Sequence, residues 1–197
     1  MRICVFGAGA VGGHVAVRLA LAGHQVSCVA RGEHLAAMRR NGLTLVSGDA
    51  RHTAKVAASD NPADLGPQDL VISGLKATGL GALAAGVAPL LGAETAVVFA
   101  QNGVPWWYGL GKAPAGAVPP RLDWLDPGGA LAAAVAPERI IGGVIFSSNE
   151  VQSPGVVVND SPERNRLVVG EIDDAASDRI NMLRAALREA SIDSPEA

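Results

Sequence analysis

Gly7, Gly9 and Gly12 carry more chemistry than any other spacing in this chain. They punctuate the run Gly7-Ala8-Gly9-Ala10-Val11-Gly12, which follows directly on the apolar stretch Arg2-Ile3-Cys4-Val5-Phe6. A strand that ends in G-x-G-x-x-G and flows into a helix is built to hold a dinucleotide pyrophosphate. Each glycine has its own reason. The first permits the tight turn, the second lets backbone approach phosphate oxygens with no Cβ in the way, and the third lets helix and strand pack closely. The first N–H groups of the helix and the positive end of its dipole then face the anion. Val11, Val15, Leu19 and Ala22 continue at helical spacing beyond the glycines. The plainer alternative is a glycine-rich turn with no ligand, and the strand before and helix after argue against it.

Three more side chains follow predicted strands, as ligand-binding groups do at the carboxyl edge of an open α/β sheet. Arg31 comes after the strand Gln25–Val29, Lys76 after Asp69–Ser73, and Asn102 after Thr95–Ala100. Arg31 is the most specific of them. A site for NAD places Asp or Glu at the end of the second strand to accept from the ribose 2′-hydroxyl. Here that stretch is Cys28-Val29-Ala30-Arg31, with Glu33 expected to point along the following helix. An arginine makes charge-assisted, bidentate bonds to a 2′-phosphate, so the pattern favours NADP(H). Lys76 can reach a ribose hydroxyl or a phosphate. Asn102, in Gln101-Asn102-Gly103, offers an amide that both donates and accepts where nicotinamide and substrate would meet. Each has an ordinary alternative: a solvated arginine, a solvated loop lysine, an Asn-Gly turn.

Alternating strand and helix signals position these groups and predict an α/β, Rossmann-type, doubly wound and mainly parallel sheet. Helical signals cover Gly32–Arg40, Leu80–Leu91 and residues 176–190. Further strands are expected at Leu43–Val46 and Thr53–Val56 around a Ser47-Gly48-Asp49 turn, and at Ile140–Phe146, Gly155–Val158 and Leu167–Gly170. Between Gly103 and Pro137 the pattern loosens, and Trp106, Trp107 and Trp124 are expected to anchor that segment on the core. His14, His24, His34 and His52 have no partner at suggestive spacing and are expected at the surface or at helix ends.

Composition narrows the classes. At 197 residues and 49% hydrophobic, the chain can bury one sizeable core. A net charge of −3 gives no reason to expect nucleic acid. No run of about 18 apolar residues could span a bilayer, and no signal peptide is evident, so the expected location is cytoplasmic. Cys4 and Cys28 fall inside strands, as buried free thiols do, and no Cys/His cluster has zinc spacing.

Taken together, Gly7-Ala8-Gly9-Ala10-Val11-Gly12-Gly13, Val29-Ala30-Arg31, Leu75-Lys76-Ala77, Gln101-Asn102-Gly103 and Pro154-Gly155-Val156 resemble the ketopantoate reductase (2-dehydropantoate 2-reductase) family. Pro105-Trp106-Trp107-Tyr108, Asp126-Pro127-Gly128-Gly129 and Arg139-Ile140-Ile141-Gly142 resemble a branch of it. The resemblance implies NADPH-dependent reduction of a 2-oxo acid to a 2-hydroxy acid, as in pantothenate synthesis. It assigns Gly7, Ala8, Gly9, Ala10, Val11 and Gly12 to the pyrophosphate, Arg31 to the 2′-phosphate, Lys76 to the cofactor, and Asn102 to both cofactor and substrate. It also implies a helical second domain bearing the proton-donor lysine, whereas this sequence has only Lys55, Lys76 and Lys112. Residues 1–190 are thus expected to form the NADP-binding domain and 191–197 to begin a connection to that helical domain. Weak or absent turnover alone is expected, along with an apolar face on the end helix and Trp-rich segment that favours self-association. The alternatives are a non-catalytic NADP(H)-binding module and a reductase of a different 2-oxo acid.

Overall fold

In the computed structural model, which describes residues 1–110 and 123–196, β1 (Arg2–Phe6) sends Ile3 and Val5 to one core and Cys4 and Phe6 to the other. Side chains alternate across a strand, so a sheet covered on both faces reads as an unbroken apolar run. The same division recurs in β2 (Gln25–Val29), β6 (Gln68–Ser73), β7 (Leu91–Ala100) and β8 (Ile140–Ile145). With the short β5 (Ala57–Ser59) and β11 (Leu167–Glu171), these strands form a seven-stranded sheet in the order β11-β8-β7-β6-β1-β2-β5. Every pairing is parallel except that of β11 with β8. This is the doubly wound sheet expected from the sequence. The winding reverses between β1 and β6, at the edge where ligands bind in such sheets.

Helix α1 (Ala10–Leu21) covers one face with Val15 and Leu19. There it is joined by α2 (Gly32–Asn41) through Leu35 and Met38, and by α5 (Asp178–Glu189) through Ile180, Leu183 and Leu187. The other face is closed by α3 (Leu80–Gly86) and α4 (Ala130–Ala134), with Trp106 and Trp107 packed on Phe99 at ring-centroid distances of 5.6 and 4.9 Å. Among the described residues, no helix is long and apolar enough to cross a membrane.

A second sheet stands against α1. It orders β4 (Ala50–Ala54), β3 (Leu43–Ser47), β10 (Val156–Asn159) and β9 (Asn149–Ser153) as β4-β3-β10-β9. Its joining of β3 to β10 had no signature in the sequence, because the two strands are far apart in the chain and β9 is polar and exposed. Leu45 and Val157 place its inner face in the α1 core. A Cβ on Gly13 would lie 2.7 Å from Val157 Cγ2, so this glycine admits the second sheet.

Several local expectations change. The β3–β4 hairpin turns at Gly48 and Asp49, with Ser47 opposite Ala50, so β4 starts earlier than the Thr53–Val56 reading. The expected helix at Leu80–Leu91 stops at Gly86, and Ala88–Leu90 forms a 3-10 turn around Pro89. Trp106 and Trp107 anchor the irregular segment as expected, whereas Trp124 is 68% exposed. Part of that segment, including Lys112, lies outside the described residues. The apolar row of α5 is packed on the sheet, and Trp106 and Trp107 are covered. Exposed large apolar side chains among the described residues include Val104, Tyr108, Leu110 and Trp124 in the Trp-rich segment, Phe146 after β8, and Met182 on α5. Beyond α5, Asp193 N–H donates to Asn165 O and Leu167 N–H to Asp193 O, and Ser194 Oγ donates to Leu167 O. Cys4 and Cys28 are free and buried.

His14 also departs from its expectation. It is 2% exposed in α1, and its Nε2 has no partner among the described residues. Burial, with the Arg18 cation nearby, holds the imidazole down to about 4 from 6.5. Below pH 6.5 the unfolded chain takes up the proton before the folded one, so stability is whole above that pH and is lost as pH falls toward 4. The loss amounts to roughly 3 kcal/mol. His14→Gln should flatten denaturant-midpoint profiles between pH 7 and 4.5. A variant as acid-sensitive as the parent would place the effect elsewhere.

Candidate functional site

The glycine loop leaves β1 at Gly7, whose φ of +94° suits glycine and whose N–H donates to Val29 O at 3.0 Å. It enters α1 through Gly9, the N-cap. Gly9 brings no side-chain oxygen, and the first turn of α1 contains no acid. The donors at this helix end therefore remain available to an anion. A Cβ on Gly9 would meet nothing within 4 Å, so the loop is open on that side. On its inner side it is tight: a Cβ on Gly12 would collide with the Gly7 carbonyl oxygen and lie 3.0 Å from Val5 Cγ1.

Gly74, just past β6, completes this approach. Its N–H donates to Phe6 O at 3.0 Å, and a Cβ there would lie 2.7 Å from both Gly12 Cα and Gly7 O. Three glycines from two strands and a helix thus meet with no room for a side chain. The motif made Gly7 and Gly12 legible. Gly74 was not, because its neighbours are set by sheet order.

Along the carboxyl edge lie the four groups that follow predicted strands in the sequence. Their strands run β7-β6-β1-β2, so the groups follow in the order Asn102, Lys76, Gly7, Arg31. Strands about 4.8 Å apart spread Asn102 and Arg31 over about 14 Å, suited to an extended dinucleotide. Arg31 is the exposed N-cap of α2, and its guanidinium bonds to no described residue. Lys76 is likewise exposed and unpaired among the described residues, while Glu33 is exposed in the first turn of α2.

Asn102 is already engaged. Its Nδ2 donates to Ile145 O at 3.0 Å, and its Oδ1 accepts from Ile145 N–H at 2.8 Å. The side chain clips the loop after β7 to the end of β8. An amide carries two N–H groups and two oxygen lone pairs, so one of each remains for a ligand. Asn102→Ala should lower unfolding stability by about 1–2 kcal/mol through this clip alone. An unchanged denaturation midpoint would show that water replaces it at no cost.

His34 was missed by the sequence reading. Its Nε2 lies 2.8 Å from Ala8 O in the glycine loop, and its Nδ1 lies 3.1 Å from Gly155 N at the start of β10. Gly155 is 121 residues away, a separation that no local pattern reveals.

Comparison with known proteins identifies the family. Residues 3–117 match the family model described as ketopantoate reductase PanE/ApbA. A 2-dehydropantoate 2-reductase of Mesorhizobium japonicum is 41% identical over 198 residues, which cover 99% of this chain and 59% of the relative. A candidate ketopantoate reductase of Ralstonia solanacearum MolK2 superposes with a TM-score of 0.93 at 40% identity, covering all of this chain and 60% of that structure. A D-mandelate dehydrogenase solved with NADH and anilino(oxo)acetate shares the fold, with a TM-score of 0.80 at 19% identity, over 57% of its length. The chain therefore spans somewhat under two thirds of the length of the relatives it matches. It belongs to the ketopantoate reductase family.

Proposed function

We propose, from that membership, that this chain is the NADPH-binding part of a 2-dehydropantoate 2-reductase. The full reaction would reduce 2-dehydropantoate to pantoate in pantothenate biosynthesis. The observation that carries the reading is the close approach of Gly7, Gly12 and Gly74 beneath an uncapped helix end, with Arg31, which bonds to no described residue, two strand positions from Lys76. In this proposal Gly7 to Gly12 hold the pyrophosphate and Arg31 receives the 2′-phosphate. Lys76 contacts the cofactor, and Asn102 uses its remaining N–H and lone pair toward nicotinamide and substrate. Bound NADPH supplies the hydride, and of this chain's residues Asn102 is the one assigned to the placing of the carbonyl.

The alkoxide that forms also needs a proton, and a positioned general acid contributes roughly 10²–10⁴-fold. None of the residues assigned here fills that role, since Lys76 is given to the cofactor. We therefore propose little or no turnover by these 197 residues alone. In the same proposal residues 1–190 are the cofactor domain and 191–197 lead toward a substrate domain. The exposed Val104, Tyr108 and Phe146 are apolar surface through which the chain could self-associate.

One observation favours the second reading, a non-catalytic NADP(H)-binding module: Asn102 spends half of its hydrogen-bonding capacity on Ile145. Fluorescence titration of the folded chain with NADPH and with NADH tests the first reading, followed by assay with 2-dehydropantoate. Saturable binding with a preference for NADPH is the expected result. Equal affinity for the two nucleotides would remove the 2′-phosphate assignment, and binding of neither would remove the whole reading. Ordinary turnover by this chain would overturn the proposed division of labour.

A further inference from the structure

We propose that His34 is a positioning residue for the dinucleotide cradle: it ties the Ala8 carbonyl to the turn that enters β10 and so aims the amides of the glycine loop. The ligand in this inference rests on the reading above; the geometry does not.

A neutral imidazole has one donor and one acceptor. Gly155 N–H can only donate, so Nδ1 accepts from it, and the proton resides on Nε2. There it meets Ala8 O, which can only accept. The two contacts thus select one tautomer, and both are satisfied without a ligand.

The Gly155 end of the tie is held by packing and by a hydrogen bond. Its φ is +78°, a Cβ would lie 3.1 Å from Ala37 Cβ, and its carbonyl accepts from Thr44 N–H at 2.9 Å. The turn is pressed onto α2 and bonded to β3, so His34 is held from behind by the second sheet. Val157, two residues on, packs against Gly13 at the base of the same loop.

The Ala8 end is where the effect lies. In a planar trans peptide the C=O of one residue and the N–H of the next point in opposite directions. Holding Ala8 O on His34 therefore turns Gly9 N–H the other way. That N–H bonds to no described residue, and the space beside Gly9 is open. His34 also lies one helical turn beyond Arg31, and residues three apart share a helix face. One imidazole thus fixes the spacing between the pyrophosphate loop and the cation assigned to the 2′-phosphate.

The test uses the whole chain with His34→Phe, which keeps a ring but removes donor and acceptor, and His34→Gln, which restores both. The Phe variant should bind NADPH about tenfold more weakly, the equivalent of one hydrogen bond. Its Gly7–Gly12 amides should exchange hydrogen about tenfold faster without nucleotide. The Gln variant should recover most of both losses, which a role in general packing would not produce. Affinity and loop exchange unchanged in the Phe variant, or a Gln variant as impaired as Phe, would overturn the assignment. If the parent binds neither nucleotide, the cofactor reading falls while loop exchange still decides His34. If the Phe variant does not fold, the imidazole nitrogen spectrum of the parent decides: a proton on Nε2 supports the tie, and one on Nδ1 overturns it.

Discussion

Gly12→Ala is expected to weaken NADPH binding by at least about a hundredfold and to lower unfolding stability by about 2–4 kcal/mol. The reason is local and severe. The added Cβ would run into the Gly7 carbonyl oxygen and press on Val5 Cγ1, and backbone cannot yield as the end of a flexible side chain can. Relief requires α1 to move away from β1. That shift carries the helix N-terminus, and with it the donors proposed to hold the pyrophosphate. Gly9→Ala is the matched control. Its Cβ meets nothing within 4 Å, so the fold should survive with its unfolding midpoint nearly intact, while the Cβ enters the space assigned in the proposal to a phosphate. Thermal unfolding and nucleotide titration of both variants separate the two effects. A Gly12→Ala protein that binds NADPH like the parent would show that the loop does not hold the pyrophosphate.

The second large effect is expected at Arg31. Charge-assisted hydrogen bonds contribute about 1.5–3 kcal/mol, so Arg31→Ala should raise the Kd for NADPH by about 10–100-fold and leave NADH within about threefold. The fold should be indifferent, because the guanidinium is exposed and bonds to no described residue. Arg31→Lys separates shape from charge. A lysine keeps the charge but loses the planar fork, so it should recover only part of the preference. Salt should weaken NADPH binding in the parent more than in Arg31→Ala, because the lost interaction is electrostatic and partly screened. Equal losses for both nucleotides would mean that Arg31 supports the start of α2 and does not read the phosphate.

The parallel sheet was legible because its signals are short-ranged. Apolar runs such as Asp69–Ser73 and Thr95–Ala100 announce buried strands, and G-x-G-x-x-G following one of them announces a helix start. β9 was invisible for the opposite reason: Asn149-Glu150-Val151-Gln152-Ser153 is exposed, and only its pairing with β10 makes it a strand. Trp124 shows the limit of composition. Tryptophan is usually anchored by its size, yet this one stands 68% exposed while Trp106 and Trp107 pack against Phe99.

By itself, then, the sequence determined the βα unit at the start of the chain, the identity of the groups after β1, β2, β6 and β7, and the absence of an acid at the end of β2. Those features depend on residue type and on spacings of a few residues. Only the tertiary structure decided their order along the sheet edge, the entry of Gly74 into the loop, the clip between Asn102 and Ile145, and the tie from Ala8 through His34 to Gly155. Such contacts join segments as much as 121 residues apart. They are fixed when two sheets pack on the two sides of α1, and periodicity within one segment carries no record of which distant segment will face it.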